Sequence, residues 1–376
     1  MASSPPSKHP VVGSSPRCIL FQDESRSVFL VDIPTSLEES QFLPGRSAET
    51  IQPQRRLLSV DPVAAPFPLP EPRDPQTNHQ TPASQLADLM IEAAVRSALD
   101  TLRRDYAAPF CLPRVIGGGS TSGTSGGSDS RSPQGHPACK EAAEDAATAH
   151  FIPEESAYLS GPIQETRKSF LSMAPLFDLI VLDPPWPNKS ARRKTGGYST
   201  VSGLKETRSL LDQIPVAGHL ADGGLVAVWV TNKASLVDLL TSPHGILAGW
   251  GLEVVAEWIW VKITSQGDPI FDTESAWRKP WERLVIARKR GDNRKVQQRV
   301  IFAVPDIHSR KPNLRPLFED LLPAGFRGLE VFARNLTAGW WGWGDEVLRF
   351  QESRHWVVPA EPEQAELESN EPDDTN

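Results

Sequence analysis

Six short apolar runs between residues 177 and 333 constrain the fold of this chain more than any other feature. They occupy 177–182, 225–230, 252–263, 284–287, 299–304 and 328–333, and stretches with helical patterning separate some of them, at 209–220, 234–240 and 312–322. A run that is apolar at nearly every position has no solvent face, so it reads as a strand covered on both sides. Such strands alternating with helices predict an α/β sheet, parallel for the most part. In sheets of this kind the ligand crevice lies beyond the carboxyl ends of the strands. The first run, Phe177-Asp178-Leu179-Ile180-Val181-Leu182, stops at Asp183-Pro184-Pro185-Trp186, which places Asp183 at one of those ends.

The rest of the chain is organised unevenly. All eleven tryptophans lie between Trp186 and Trp356, whereas 18 of the 35 prolines fall in the first 150 residues, so a packed C-terminal core follows a looser, partly disordered front. Within that front, residues 18–33 read as a hairpin whose loop is 22–26. Eight prolines between Pro53 and Pro82 predict an extended linker without a regular element. Ser84 reads as the N-cap of a helix over 84–104, with Leu86, Leu89, Met90, Ala93, Val95, Leu99 and Leu102 on its apolar side. Residues 117–130 hold only glycine, serine, threonine and one aspartate, a flexible linker. The expected division is a front region at 1–116, a linker at 117–150, the main domain at 151–358 and an acidic disordered tail at 359–376.

Charge and cysteine usage narrow the class. Residues 361–376 carry seven carboxylates and no base; without them the formal charge of −8 falls to about −1. A near-neutral body excludes binding nucleic acid by bulk charge and leaves room for a local basic patch. No apolar run approaches the length of a membrane span, and residues 1–10 lack the apolar stretch of a secretory signal. Cys18, Cys111 and Cys139 have no metal-like spacing, so a reducing compartment without zinc or disulfides is expected.

Asp183-Pro184-Pro185-Trp186 carries the chemistry. Average residue usage would produce it in about one chain of this size per thousand. An aromatic amine such as adenine N6 is a poor nucleophile because its lone pair is delocalised into the ring. A carboxylate and a proline carbonyl could each accept one of its N–H bonds and turn the lone pair toward a methyl donor. Consecutive prolines stiffen such a loop and remove competing N–H donors. A tryptophan face stacks a base, worth roughly 1–3 kcal/mol. Orientation of amine and methyl would then do most of the catalysis, without a metal. The structural alternative is a strand followed by a proline turn with a core tryptophan. Trp258 and Trp260 alternate on one strand face and read as core.

These residues and the blocks that follow resemble the DPPW-type adenine-N6 methyltransferase family, and within it the methyltransferase-like protein 4 branch. The ordered blocks are Trp229-Val230-Thr231-Asn232, Glu257-Trp258-Ile259-Trp260-Val261-Lys262, Lys279-Pro280-Trp281-Glu282 and His308-Ser309-Arg310-Lys311-Pro312. Leu329-Glu330-Val331-Phe332-Ala333-Arg334-Asn335 and Trp343-Gly344-Asp345-Glu346-Val347 complete the series, which spans about 158–352. The resemblance implies a doubly wound, Rossmann-like methyltransferase fold with S-adenosylmethionine as donor. It assigns the target adenine to Asp183, Pro184, Pro185 and Trp186, and Asn232 to the substrate. Asp183 would also lie near the donor's amino group, and Lys311 would pair with its carboxylate. Arg334 and Asn335 would meet its ribose, and Asp345 and Glu346 its ribose or adenine. Two departures stand out: Asp345 where asparagine is expected, and Ser160-Gly161-Pro162-Ile163 where relatives carry an acidic residue.

Lys189, Arg192, Arg193, Lys194, Lys205 and Arg208, with the single acidic Glu206 among them and Gly196-Gly197-Tyr198, read as a mobile loop whose cations contact phosphates while Tyr198 stacks a flanking base; a solvated loop is the alternative. The implied partner is single-stranded or structured nucleic acid, RNA before DNA, and specifically 2′-O-methyladenosine of a small nuclear RNA. A monomer in the nucleus, with the cytoplasm as a second compartment, is expected. Competing readings are DNA adenine methylation, a non-catalytic nucleic-acid-binding subunit, and methylation of a glutamine amide or small amine.

Overall fold

All six apolar runs become strands of one ten-stranded sheet. The computed structural model describes residues 16–45, 55–68, 82–107, 109–117, 149–187, 203–275 and 278–358. In chain order these form β1 (Ile19–Gln22), β2 (Val28–Val31), α1 (Ile33–Glu39), β3 (Arg56–Ser59), α2 (Pro82–Asp105) and β4 (Val115–Ile116). The main domain follows with β5 (Ala157–Ser160), α3 (Ile163–Met173), β6 (Phe177–Leu182), α4 (Leu204–Leu211), α5 (Val216–His219), β7 (Leu220–Val230), α6 (Ala234–Thr241) and α7 (Ile246–Gly249). It ends with β8 (Leu252–Lys262), β9 (Trp281–Lys289), β10 (Val300–Ala303), α8 (Arg315–Phe318), β11 (Gly328–Val331), β12 (Trp341–Gly344) and β13 (Trp356–Val357).

The large sheet runs β1-β2-β10-β8-β9-β7-β6-β11-β12-β5, and β3 lies between β13 and β4 in a small second sheet. Pairing in the large sheet is parallel except at β1–β2, β7–β9 and β8–β9. Alternation along each run explains the burial on both faces. Leu179 and Val181 of β6 join Leu225, Ala227 and Trp229 of β7 in one cluster, with α1 and α8 above it. Ile180 and Leu182 join Val226, Val228 and Val230 in the other, under α3, α4 and α6. Leu179 to Leu182 are each at most 2 % exposed; burying one such side chain contributes about 1.5–3 kcal/mol.

From β6 the chain passes to β7 on one side and returns through β11 and β12 on the other. That reversal opens a crevice between β6 and β11 at their carboxyl ends. The tight approach there depends on Gly344: its φ is +150°, and a Cβ on it would stand 3.0 Å from Phe332 Cα.

The front region is built into the same structure. The hairpin forms as expected, and β2 then pairs in parallel with β10. Three expectations need correction. The segment between Pro53 and Pro82 does contain a regular element, β3, because residues 54–61 are free of proline. The helix α2 begins at Pro82, two residues before Ser84, since proline is tolerated in a first helical turn. Its N-terminal apolar residues Leu86, Leu89 and Met90 are exposed, while Val95, Ala98, Leu99 and Leu102 pack against β2, β8 and β10. Two helical stretches also differ. That at 209–220 is cut at Pro215, with Leu220 already in β7, and that at 312–322 shrinks to the turn α8 around Pro316. The glycine-serine linker beyond Gly117 and the acidic tail lie outside the described residues.

Candidate active site

The carboxyl ends of β6 and β11, the start of β9 and the loop after β10 bring a chain of alternating charges together. Lys262 Nζ donates to Glu282 Oε1 at 2.6 Å, and Lys311 Nζ donates to Glu282 Oε2 at 2.9 Å and to Asp183 Oδ1 at 3.3 Å. Arg334 Nη1 lies 3.9 Å from Asp183 Oδ2, and its Nε donates to Glu346 Oε2 at 2.9 Å. Arg349 Nη1 closes the chain on Glu346 Oε1 at 2.8 Å. Burial opposes the charge on Lys311, yet Asp183 and Glu282 outweigh it and hold its pKa above the ordinary value. Burial likewise acts against ionised Glu282, but Lys311 and Lys262 bring its pKa down to about 2.

Local backbone geometry presents these groups. Asp183 N–H donates to Val331 O at 3.3 Å, which ties the end of β6 to β11. Trp186 N–H donates to Pro184 O at 2.8 Å, and its indole Nε1 donates to Trp229 O at 2.7 Å, so the half-buried ring is fixed at its edge. Ser309 (φ +72°) and Phe332 (φ +61°) adopt the left-handed conformation beside the crevice, a strain of about 1–3 kcal/mol that clusters at functional sites. Asn232 Nδ2 donates to Trp281 O at 2.6 Å, while its buried Oδ1 has no hydrogen-bond partner among the described residues.

Of the residues expected from the sequence, Asp183 to Trp186, Asn232, Lys311, Arg334, Asn335 and Glu346 converge on this crevice. Asn335 lines a cavity of about 10 Å³ with Lys311 and Glu330. Asp345 is exposed at the end of β12; burial and then the Glu346 and Glu165 carboxylates raise its pKa. Glu165, at the start of α3, therefore supplies acidity at the corner where Ser160-Gly161-Pro162-Ile163 has none. Lys189, Arg192, Arg193, Lys194 and Tyr198 lie outside the described residues, whereas Lys205 and Arg208 stand on the helix α4 rather than in a loop, with Arg208 Nη2 donating to His244 O at 2.9 Å. Among the described residues there is no group of three or more His, Cys, Asp and Glu placed to hold a metal ion, and no helix long and apolar enough to cross a membrane.

Glu282, Lys262 and Glu330 were not anticipated as site residues. Glu282 starts a strand rather than ending one. Because β9 runs antiparallel to β7 and β8, its first residues reach the rim formed by its neighbours' carboxyl ends. Glu330 pairs in register with Val181, and its carboxylate forms no hydrogen bond or ion pair among the described residues. Burial, then the Asp183 charge, raises its pKa to about 7 against the pull of Arg334 and Lys311. Between pH 4.5 and 7 the native state therefore keeps a proton that the unfolded chain has lost, and stability falls as pH rises through that window. Glu330→Gln is expected to remove this loss, raising stability above pH 7 by up to about 3 kcal/mol with no gain near pH 4. Thermal unfolding midpoints against pH check it; a uniform shift at every pH would refute the assignment.

A doubly wound, mostly parallel sheet with this crevice beyond its central strand, entered by an Asp-Pro-Pro-Trp turn, defines a Rossmann-like methyltransferase. The sequence profile of the MT-A70 family matches residues 177–346. The N6-methyladenosine RNA methyltransferase MTA1 of Cryphonectria parasitica is 49 % identical over 346 residues, 91 % of this chain and 94 % of that protein. MTA1 of Pyricularia oryzae is 45 % identical over 90 % of this chain and 96 % of its own length. The mouse N(6)-adenine-specific methyltransferase METTL4 is 35 % identical over 56 % of this chain and 45 % of its own length. The chain belongs to the MT-A70 family. At 91 % and 90 % of this chain, similarity to the two MTA1 proteins takes in most of the front region.

Proposed function

We propose that this chain transfers a methyl group from S-adenosylmethionine to adenine N6 in RNA. The observation that carries the reading is Asp183, paired with Lys311 and Arg334 at the end of β6 and followed directly by a stiff proline pair and a fixed tryptophan. The two MTA1 relatives are named as N6-methyladenosine RNA methyltransferases, which supports RNA over DNA.

The residues present fit the donor. Its zwitterionic end needs a cation and carboxylates side by side, which Lys311 and Asp183 provide 3.3 Å apart. Asn232 Oδ1 and the Glu330 carboxyl, neither hydrogen-bonded among the described residues, leave polar capacity at the same rim. When bound, the donor supplies an electrophilic methyl on a sulfonium sulfur. Lys311 would hold its carboxylate, Arg334 and Asn335 its ribose, and Asp345 and Glu346 its ribose or adenine. Asp183 and the Pro184 carbonyl, which keeps a lone pair after accepting Trp186 N–H, would take the two N6–H bonds. That arrangement aims the nitrogen lone pair at the methyl and leaves Asp183 within reach of the proton the amine sheds. Trp186 stacks the base. The base must leave any duplex to reach this site, so single-stranded or looped RNA suits it.

Within RNA we propose 2′-O-methyladenosine of a small nuclear RNA as the preferred target, a reading supported by the resemblance to the methyltransferase-like protein 4 branch. Transfer of labelled methyl to three matched oligonucleotides tests both levels. Label on N6 is expected fastest with 2′-O-methyladenosine RNA, next with unmodified RNA, and slower with single-stranded DNA by about tenfold or more. Faster labelling of DNA would overturn the RNA reading, and equal rates on both RNAs the narrower one. No label on any of them, from folded protein, would overturn the activity.

A further inference from the structure

Lys311 arrives on the loop that follows β10, and the anchors of that loop come from far away in sequence. Arg114, just before β4, donates from Nη1 to Pro305 O at 3.0 Å and Val60 O at 3.1 Å, and from Nη2 to Val304 O at 3.0 Å. Asp306 accepts from Val60 N–H at 3.1 Å, Ser59 Oγ at 3.3 Å and Arg310 Nη1 at 2.5 Å, and stands 3.7 Å from Arg114 Nη1. Arg310 also donates to Leu58 O at 2.8 Å, and its guanidinium lies 4.6 Å from the centre of the Phe350 ring. These three charged side chains are 2 %, 0 % and 0 % exposed for Arg114, Asp306 and Arg310. None of them can touch a ligand. Asp306 is the carboxylate paired with both guanidiniums, and Arg114 Nε and Arg310 Nε and Nη2 are buried without a hydrogen-bond partner among the described residues. The cluster thus has no surplus acceptor to replace a lost one.

We propose that Arg114 and Asp306 are positioning residues for methyl-donor binding, clamping the loop at 304–311 to the front region so that Lys311 stands where the donor's carboxylate is received. The inference rests on the reading of Lys311 given above. The clamp acts one residue from Lys311, through Arg310. It also fixes Ser309, whose carbonyl accepts from Arg334 Nη1 at 3.4 Å. A loop released by half an ångström would misplace Lys311 between Asp183 and Glu282, and geometry errors of that size weaken a charge-assisted contact strongly. The front region is then part of the donor site although none of its described residues in this clamp reaches the crevice.

The test compares two ligands on one variant. Arg114→Lys keeps the charge but cannot reach three carbonyls with one ammonium. S-adenosylhomocysteine carries the amino-acid carboxylate, and 5′-methylthioadenosine lacks it. By titration calorimetry, Arg114→Lys is expected to weaken S-adenosylhomocysteine about tenfold and 5′-methylthioadenosine less than twofold. Both ligands are measured on one preparation, so a partly unfolded sample loses sites for both alike and leaves the ratio intact. Ser59→Ala, which removes a single bond to Asp306, should shift the ratio the same way by a smaller factor, and it serves if Arg114→Lys does not fold. Equal weakening of the two ligands, or none, overturns the inference. Lys311→Met separates the two levels. If it fails to discriminate the ligands, the donor-site reading falls and this inference with it. If it discriminates while the clamp variants do not, the inference alone falls.

Discussion

Asp183→Asn is expected to lower the rate of methyl transfer by about 10²–10³-fold at saturating donor and RNA, the usual effect of losing one preorganised electrostatic partner of the transition state. The amine nitrogen gains positive charge as its bond to carbon forms, so a fixed carboxylate stabilises the transition state more than the ground state. Asparagine keeps the shape and one acceptor oxygen but loses that charge. The site should hold its form, because Lys311 retains Glu282 at 2.9 Å and Arg334 retains Glu346 at 2.9 Å. The loss should therefore fall on the single-turnover rate, with the RNA KM changed little. A second readout is independent of turnover. Asp183 helps to raise the Glu330 pKa, so in the variant the pH window over which stability falls should end lower and the total loss should be smaller. A single-turnover rate within threefold of wild type would remove Asp183 from the chemistry.

The sheet was legible because its strands are apolar at successive positions. Phe177 to Leu182 and Leu225 to Val230 are apolar at nearly every position, which marks them as strands covered on both faces; their register was not legible, since a run apolar on both faces carries no alternation to fix it. Short elements were less legible. Ala157–Ser160 and Trp341–Gly344 are only four residues each, mix polar or glycine positions with apolar ones, and become strands by pairing with each other and with β11. The site divides in the same way. Asp183 and Arg334 directly follow apolar runs in the chain, so sequence order puts them at a sheet rim; Lys311 lies seven residues beyond its run and was placed only by the family resemblance. Glu282 and the Arg114–Asp306–Arg310 cluster depend on strand direction and on contacts across some 190 residues, which no local pattern encodes. Proline density misled at β3 because an average over thirty residues hides a proline-free window of eight, enough for a strand that helps anchor the Lys311 loop.

Glu282→Gln should cause the largest loss of stability of any single change at the site, about 3 kcal/mol at pH 7. Glu282 neutralises Lys262 at 2.6 Å and Lys311 at 2.9 Å. Removing one partner from a buried pair leaves charge uncompensated, at about 3–5 kcal/mol, and the lower end applies because a quarter of the Glu282 side chain still meets solvent. Linkage gives the same size. Its pKa is lowered from 4.5 to about 2, so its contribution is complete above pH 4.5 and disappears as pH falls through 2. The gap between wild type and variant should close over that window in denaturant titrations. Ligand response then separates architecture from binding. With Glu282 neutral, Lys311 keeps only Asp183, and a carboxylate arriving from the donor side supplies what was lost. S-adenosylhomocysteine should accordingly raise the unfolding midpoint of Glu282→Gln more than that of wild type, while 5′-methylthioadenosine should raise both by the same amount. Equal responses to both ligands would mean that Glu282 supports the fold without governing how Lys311 meets its ligand.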